Sequence, residues 1–234
     1  MQSRGLVFFV ITIVVFYSNF IFANDYPVNE KDRGLILPKS TGEISFGPAW
    51  IAGNEQRNME ANFNFRYAFA ENLELARLGF RYRFINAKNY QWAFRFQNYG
   101  IGTSSEGEFF HHTEFGVDGK QDYRKSVAFL YNFGYFWSDS HENDGNTKEY
   151  RAGIGAITKI STKSALYLGY SRRYFSGFGA SFANILETKL SYNLGSSLDG
   201  FLVFRVSDFN EAVDSVLFNE SYNKMMSIGI KWRF

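Results

Sequence analysis

From about residue 42 to the last residue, apolar and polar side chains alternate with little interruption. Met59, Ala61, Phe63, Phe65, Tyr67 and Phe69 are separated by Glu60, Asn62, Asn64, Arg66 and Ala68. Leu78, Phe80, Tyr82 and Phe84 alternate with Arg77, Gly79, Arg81 and Arg83, and the last row is Met226, Ile228, Ile230, Trp232 and Phe234. Period two is the signature of strands whose faces meet different environments. Eleven such segments can be drawn, near residues 42–52, 59–69, 75–85, 90–99, 109–118, 123–137, 150–160, 165–174, 185–194, 201–207 and 222–234. Most are longer than the ~5–6 residues typical of soluble strands and match the ~9–11 of a tilted membrane-crossing strand. Their apolar face is too aromatic and too repetitive for one sandwich core. The pattern predicts an all-β chain, a transmembrane antiparallel up-and-down barrel.

Connection lengths sharpen this. The gaps at 86–89, 119–122, 161–164 and 195–200 are short, and those at 100–108, 138–149, 175–184 and 208–221 are longer. Strict alternation fits tight periplasmic turns and exterior loops. It sends the last strand toward the turn side and, counting back, sends 42–52 the same way, so a rising strand should precede it. Residues 34–39 are the only candidate, although Pro38 weakens them, and Pro48 makes the next strand a place for irregularity. The expectation is about twelve strands, with ten as the alternative.

The first 23 residues differ from the rest. Arg4 precedes an apolar run from Leu6 to Tyr17, and Ala23 precedes polar Asn24 and Asp25. This reads as a cleaved secretory signal peptide over 1–23, with 24–234 as one barrel domain. Beyond it no apolar run approaches the ~20 residues of a membrane helix. The 234 residues hold no cysteine, which excludes disulfides, thiol catalysis and a lipoprotein anchor, and only three histidines. Twenty-five basic against 23 acidic residues argue against a nucleic-acid partner.

The chain ends Ser227-Ile228-Gly229-Ile230-Lys231-Trp232-Arg233-Phe234. This resembles the C-terminal signal of bacterial outer-membrane β-barrel proteins, in which Ser227, Gly229, Trp232 and Phe234 occupy the specified positions. The resemblance covers eight residues and identifies no subfamily. It implies insertion by the barrel assembly machinery into the bacterial outer membrane, among its lipids and lipopolysaccharide.

The polar face carries the candidate chemistry. An arginine on the lipid face at mid-bilayer costs ~2–4 kcal/mol, so arginines choose the register. The inward set is Arg66, Arg77, Arg81, Arg83, Arg95, Arg151, Lys159, Arg173, Lys189, Arg205, Lys231 and Arg233, against Glu43, Glu60, Glu114, Asp118 and Glu187. Hairpin arithmetic sets Arg81 beside Arg95 and brings Arg66 close to Arg77. Facing like charges need a negative partner, whether a solute or a lumenal carboxylate. The basic excess points to a porin-like channel for passive diffusion of small, preferably anionic solutes, with no metal or cofactor. The alternative is a closed structural or adhesive barrel braced by Arg–Glu pairs. A third is a hydrolase using Ser138-Asp139-Ser140-His141-Glu142, which lacks a second carboxylate pair, while His111 and His112 point to opposite faces. Asp139, Glu142 and Asp144 are oxygen donors of the kind Ca²⁺ takes.

Overall fold

The computed structural model describes residues 26–52, 57–76, 79–102, 109–140, 147–176, 182–208 and 224–234. A short 3₁₀ turn, Glu30–Asp32, precedes β1 (Gly42–Ala52), β2 (Arg57–Ala70), β3 (Leu73–Ala76), β4 (Gly79–Asn86), β5 (Tyr90–Gly102) and β6 (Phe109–Arg124). Then follow β7 (Val127–Ser140), β8 (Thr147–Lys159), β9 (Ser164–Ser176), β10 (Phe182–Asn193), β11 (Leu198–Ser207) and β12 (Lys224–Arg233). Each strand pairs antiparallel with its sequence neighbours, and β1 pairs with β12 to close a twelve-stranded barrel.

The outer face is the apolar one. Phe46, Phe63, Tyr82, Phe84, Phe133, Ile154, Leu168, Leu186 and Ile228 all project outward and are exposed. Such a belt far exceeds the apolar patches that water-soluble monomers leave bare, and it suits hydrocarbon. Rings also pack along it: Phe80, Phe96, Phe115 and Trp137 form a chain with centroids 5.2–6.4 Å apart. Inward positions are often small instead, among them Ala49, Ala68, Ala93, Ala128, Ala165 and Ala183, each at most 1% exposed. Small residues leave room for long side chains and for an inserted segment.

Two expectations are corrected. Residues 34–39 form no strand, and the 75–85 segment is not one strand but parts of two. Leu73–Ala76 rises beside β2, and Gly79–Asn86, paired antiparallel with it, descends beside β5. The extra reversal inverts the parity of everything before it, so β1 runs away from the turn end, with Glu43 opposite Arg233 and Ala52 opposite Lys224. The physical reason lies in Glu74. In one straight strand, Leu78, Phe80, Tyr82 and Phe84 facing lipid would put Glu74 in hydrocarbon as well. The hairpin turns Leu73 and Leu75 outward and Glu74 inward, where it is fully buried.

This hairpin reaches only part of the wall's height. β2 pairs with β3 from Arg66 downward, and β5 pairs with β4 only as far as Gln97. Among the described residues, β2 above Arg66 and β5 beyond Gln97 each have one edge without a strand partner. Pro48 does not break the seam: the β1–β12 register is the same on both sides of it, from Phe46 opposite Ile230 to Ala49 opposite Ser227.

Candidate functional site: a lumen filled by the N-terminal segment

Residues 26–41 lie inside the barrel at the turn end. Ser40, with φ of 60°, turns the segment into β1 and donates its N–H to the Ala68 carbonyl. Ile36 and Leu37 are 2% and 1% exposed, and polar contacts hold the segment as well. Asn29 donates from Nδ2 to the carbonyls of Ser161 and Ser164, at 2.9 and 3.0 Å. Lys120 donates to the carbonyls of Lys31 and Arg33, both at 2.6 Å. Leu35 donates its N–H to Gln91 and Leu37 donates its own to Glu74, both at 2.9 Å. Arg66 and Arg81 donate to the Leu35 carbonyl. Much of the segment's main chain is thus satisfied by the wall instead of by its own secondary structure.

Its charged side chains complete the fit. Arg33 makes a two-pronged pair with Asp199, at 2.5 and 3.1 Å, and Asp199 also accepts from Arg233. The Tyr26 ring lies against the guanidiniums of Arg33 and Arg233, 5.2 and 5.0 Å from its centroid. Burial, aided by Glu43, pushes the Tyr26 hydroxyl up to about 12, so it stays neutral. Glu30 reaches Lys189 at 2.5 Å and Lys231 at 3.4 Å, and Asp32 pairs with Lys159. Lys31 pairs with Asp122 at 3.0 Å.

The arginines singled out from sequence are joined to wall carboxylates. Arg66 donates to both Glu74 oxygens, at 3.0 and 2.9 Å, and lies 3.5 Å from Glu43. Arg81 and Arg95 stand opposite one another on β4 and β5. Asp118 accepts from both, at 2.7 and 2.5 Å, so a lumenal carboxylate supplies the negative partner that such a pair needs. Arg81 also reaches Glu74, and Arg95 reaches Glu114. Gly116 leaves room for it: a Cβ there would lie 2.8 Å from the Arg95 guanidinium, whose end would have to shift. Toward the loop end, Arg151 and Arg173 share Glu149, which is 1% exposed, and Arg205 pairs with Glu187. Arg83 donates to the Glu71 carbonyl and the Asn72 side chain. Arg77 lies outside the described residues; opposite Arg66 stands Ala76.

Sequence reasoning missed Glu74, Glu149 and Asp199, because they sit at strand ends or in a segment drawn as a connection. It also missed the acids of the inserted segment. With them included, the lumen's wall is largely self-neutralised. Arg83 has carbonyl and amide oxygens instead of an acid, and for Lys159 and Lys189 the carboxylates within salt-bridge distance among the described residues belong to Asp32 and Glu30 alone.

The C-terminal residues sit at the closing seam. Ser227 is buried and its hydroxyl donates to the Pro48 carbonyl at 3.1 Å. Gly229 packs under the Phe201 ring and the Phe46 carbonyl, where a Cβ would come within 2.5 Å of each. Trp232 and Phe234 pack together with centroids 5.6 Å apart, and Phe234 exchanges backbone hydrogen bonds with Gly42. His111, His112 and the Ser138–Ser140 stretch end strands β6 and β7, while His141, Glu142 and Asp144 fall outside the described residues.

The segment's hold is expected to weaken in acid. Burial opposes ionisation of Glu30, but Lys189 and Lys231 outweigh it and hold the carboxyl well below 4.5, even with Glu43 nearby. A carboxylate with a lowered value when docked stabilises docking above its ordinary range, and that contribution is lost as pH falls through the lowered value. Protease cleavage within residues 26–41 of the folded barrel is therefore expected to accelerate below about pH 4. A rate that tracks only the enzyme's own pH profile would contradict this.

No protein family matches the chain, and no curated protein does. Solved structures do resemble it. The KdgM porin in complex with disordered oligogalacturonate is 11% identical over 82% of this chain and 99% of that one, with a TM-score of 0.57. The NanC porin is 10% identical over 81% and 98%, with a TM-score of 0.54. A bacterial polysaccharide outer membrane secretin is 9% identical over 83% and 99%, at 0.51. The fold is thus that of the twelve-stranded outer-membrane barrels. At such identities the likeness is one of architecture.

Proposed function

We propose that this chain is an outer-membrane, porin-like channel for small anionic solutes, closed at its turn end while residues 26–41 occupy the lumen. The apolar belt and the barrel architecture support the location. One observation carries the functional reading: among the described residues, the carboxylates that meet Lys159 and Lys189 both belong to the inserted segment. When the segment leaves, those lysines face the open lumen, and cations lining a narrow pore favour anions. The occupant is held by ion pairs and hydrogen bonds to the wall as well as by the buried Ile36 and Leu37.

Reconstituted in planar bilayers under a KCl gradient, the channel is expected to give an anion-favouring reversal potential. Lys159→Gln with Lys189→Gln should reduce that preference. The self-neutralised arginine network favours a second reading, a closed structural or adhesive barrel. Correctly folded protein that never conducts, including in acid, would establish that reading and exclude the channel.

A further inference from the structure

The inserted segment does more than fill space. Glu30 and Asp32 are two residues apart on one short turn, and they reach different strands: Glu30 meets Lys189 on β10 and Lys231 on β12, whereas Asp32 meets Lys159 on β8. Lys189 is 21% exposed and Lys159 31%, so both remain within reach of water and of a solute approaching from the lumen. Among the described residues of the wall, the other inward cations named above keep a wall acid or, for Arg83, main-chain and amide oxygens, whether or not the segment is present. The lysines therefore mark where the wall is complementary to carboxylates it does not itself supply.

We propose that Lys189 with Lys231, and Lys159 two strands from Lys189 on β8, form a two-point subsite for a solute bearing two carboxylates at about the separation of Glu30 and Asp32, and that the chain's own acids hold this subsite until such a solute displaces them. The inference rests on the channel reading for its purpose, because a solute that competes with the segment opens its own path. Two points of attachment explain the selectivity it implies. A monocarboxylate replaces one contact and leaves the segment tethered by the other, whereas a dicarboxylate replaces both, and the second contact forms at high effective concentration. The remaining anchors, among them Arg33 on Asp199, Asn29 on the β8–β9 turn, Lys120 on the Lys31 and Arg33 carbonyls and Glu74 on the Leu37 N–H, hold the segment near its place for return.

The absence of cysteine makes the test direct, since an introduced thiol is the only one. Leu37→Cys places it in the segment at a position 1% exposed, and Ile36→Cys is a second reporter at 2%. The full chain, folded in lipid vesicles, is treated with a water-soluble maleimide. Addition of acetyl-Glu-Ala-Asp-amide is expected to raise the labelling rate at least severalfold and saturably. Acetyl-Gln-Ala-Asn-amide and KCl of matched ionic strength should not. Lys159→Gln with Lys189→Gln should label fast without peptide and lose the response. An unresponsive rate in both reporters, or an equal response to the amide peptide or to salt, would overturn the subsite. Labelling does not depend on conductance, so the two readings fail separately. A peptide-responsive barrel that never conducts would end the channel reading alone, and a conducting barrel that ignores the peptide would end the subsite alone.

Discussion

Glu74→Gln is expected to lower the barrel's stability by about 3–5 kcal/mol, the usual cost of removing one partner from a buried ion pair. Glu74 is wholly buried, and its two oxygens take the guanidiniums of Arg66 and Arg81 together with the Leu37 N–H. Glutamine keeps the size and one acceptor oxygen but leaves two buried cations with less than the charge they need. Glu43 lies 3.5 Å from Arg66 and Asp118 holds Arg81, so neither arginine is stranded outright. Urea unfolding followed by tryptophan fluorescence in lipid vesicles measures the loss. A midpoint unchanged from the parent would show that the wall does not depend on this carboxylate. Because Glu74 binds wall and inserted segment at once, the same variant should also free residues 26–41 more readily.

A second loss is expected at the closing seam. Gly47 faces β12 so closely that a Cβ would lie 2.1 Å from the Ile228 carbonyl oxygen and 2.6 Å from the Gly229 Cα. No rotamer relieves a clash made by the first side-chain carbon against main chain, so Gly47→Ala must part the first and last strands. Overpacking of this kind typically costs about 1–3 kcal/mol and occasionally more, and here it falls on the contact that turns a sheet into a barrel. The expected result is loss of the faster-migrating folded band in unheated gels. Gly195→Ala is the control, because nothing lies within 4 Å of its Cβ position. Equal folding of the two variants would refute the argument.

The barrel could be read in the sequence because its exterior has one solvent. Every outward position must tolerate hydrocarbon, and a rule applied strand after strand leaves a visible period. The twelfth strand was hidden by the same simplicity. Leu73 and Leu75 are apolar at odd positions and Leu78, Phe80, Tyr82 and Phe84 at even ones, so the change of parity near 76–78 was the trace of the hairpin. Only the burial of Glu74 gives that trace its meaning. The lumen was less legible because its rule is pairing, which joins residues distant in sequence. Glu149 meets Arg173 across 24 positions and Asp199 meets Arg33 across 166. An inventory of inward charges finds the arginines, which must avoid lipid. It misses acids beyond the strand ends and cannot expect a leading segment with no periodicity to return inside.

The half-height hairpin between β2 and β5 bears on the membrane around the barrel. Bare main-chain amides and carbonyls at that depth cannot be left facing acyl chains, since each would cost several kcal/mol. Among the described residues, the edges of β2 above Arg66 and of β5 beyond Gln97 therefore need some other partner, water or further chain, and the height at which that need begins is fixed by a strand of four residues, Leu73–Ala76.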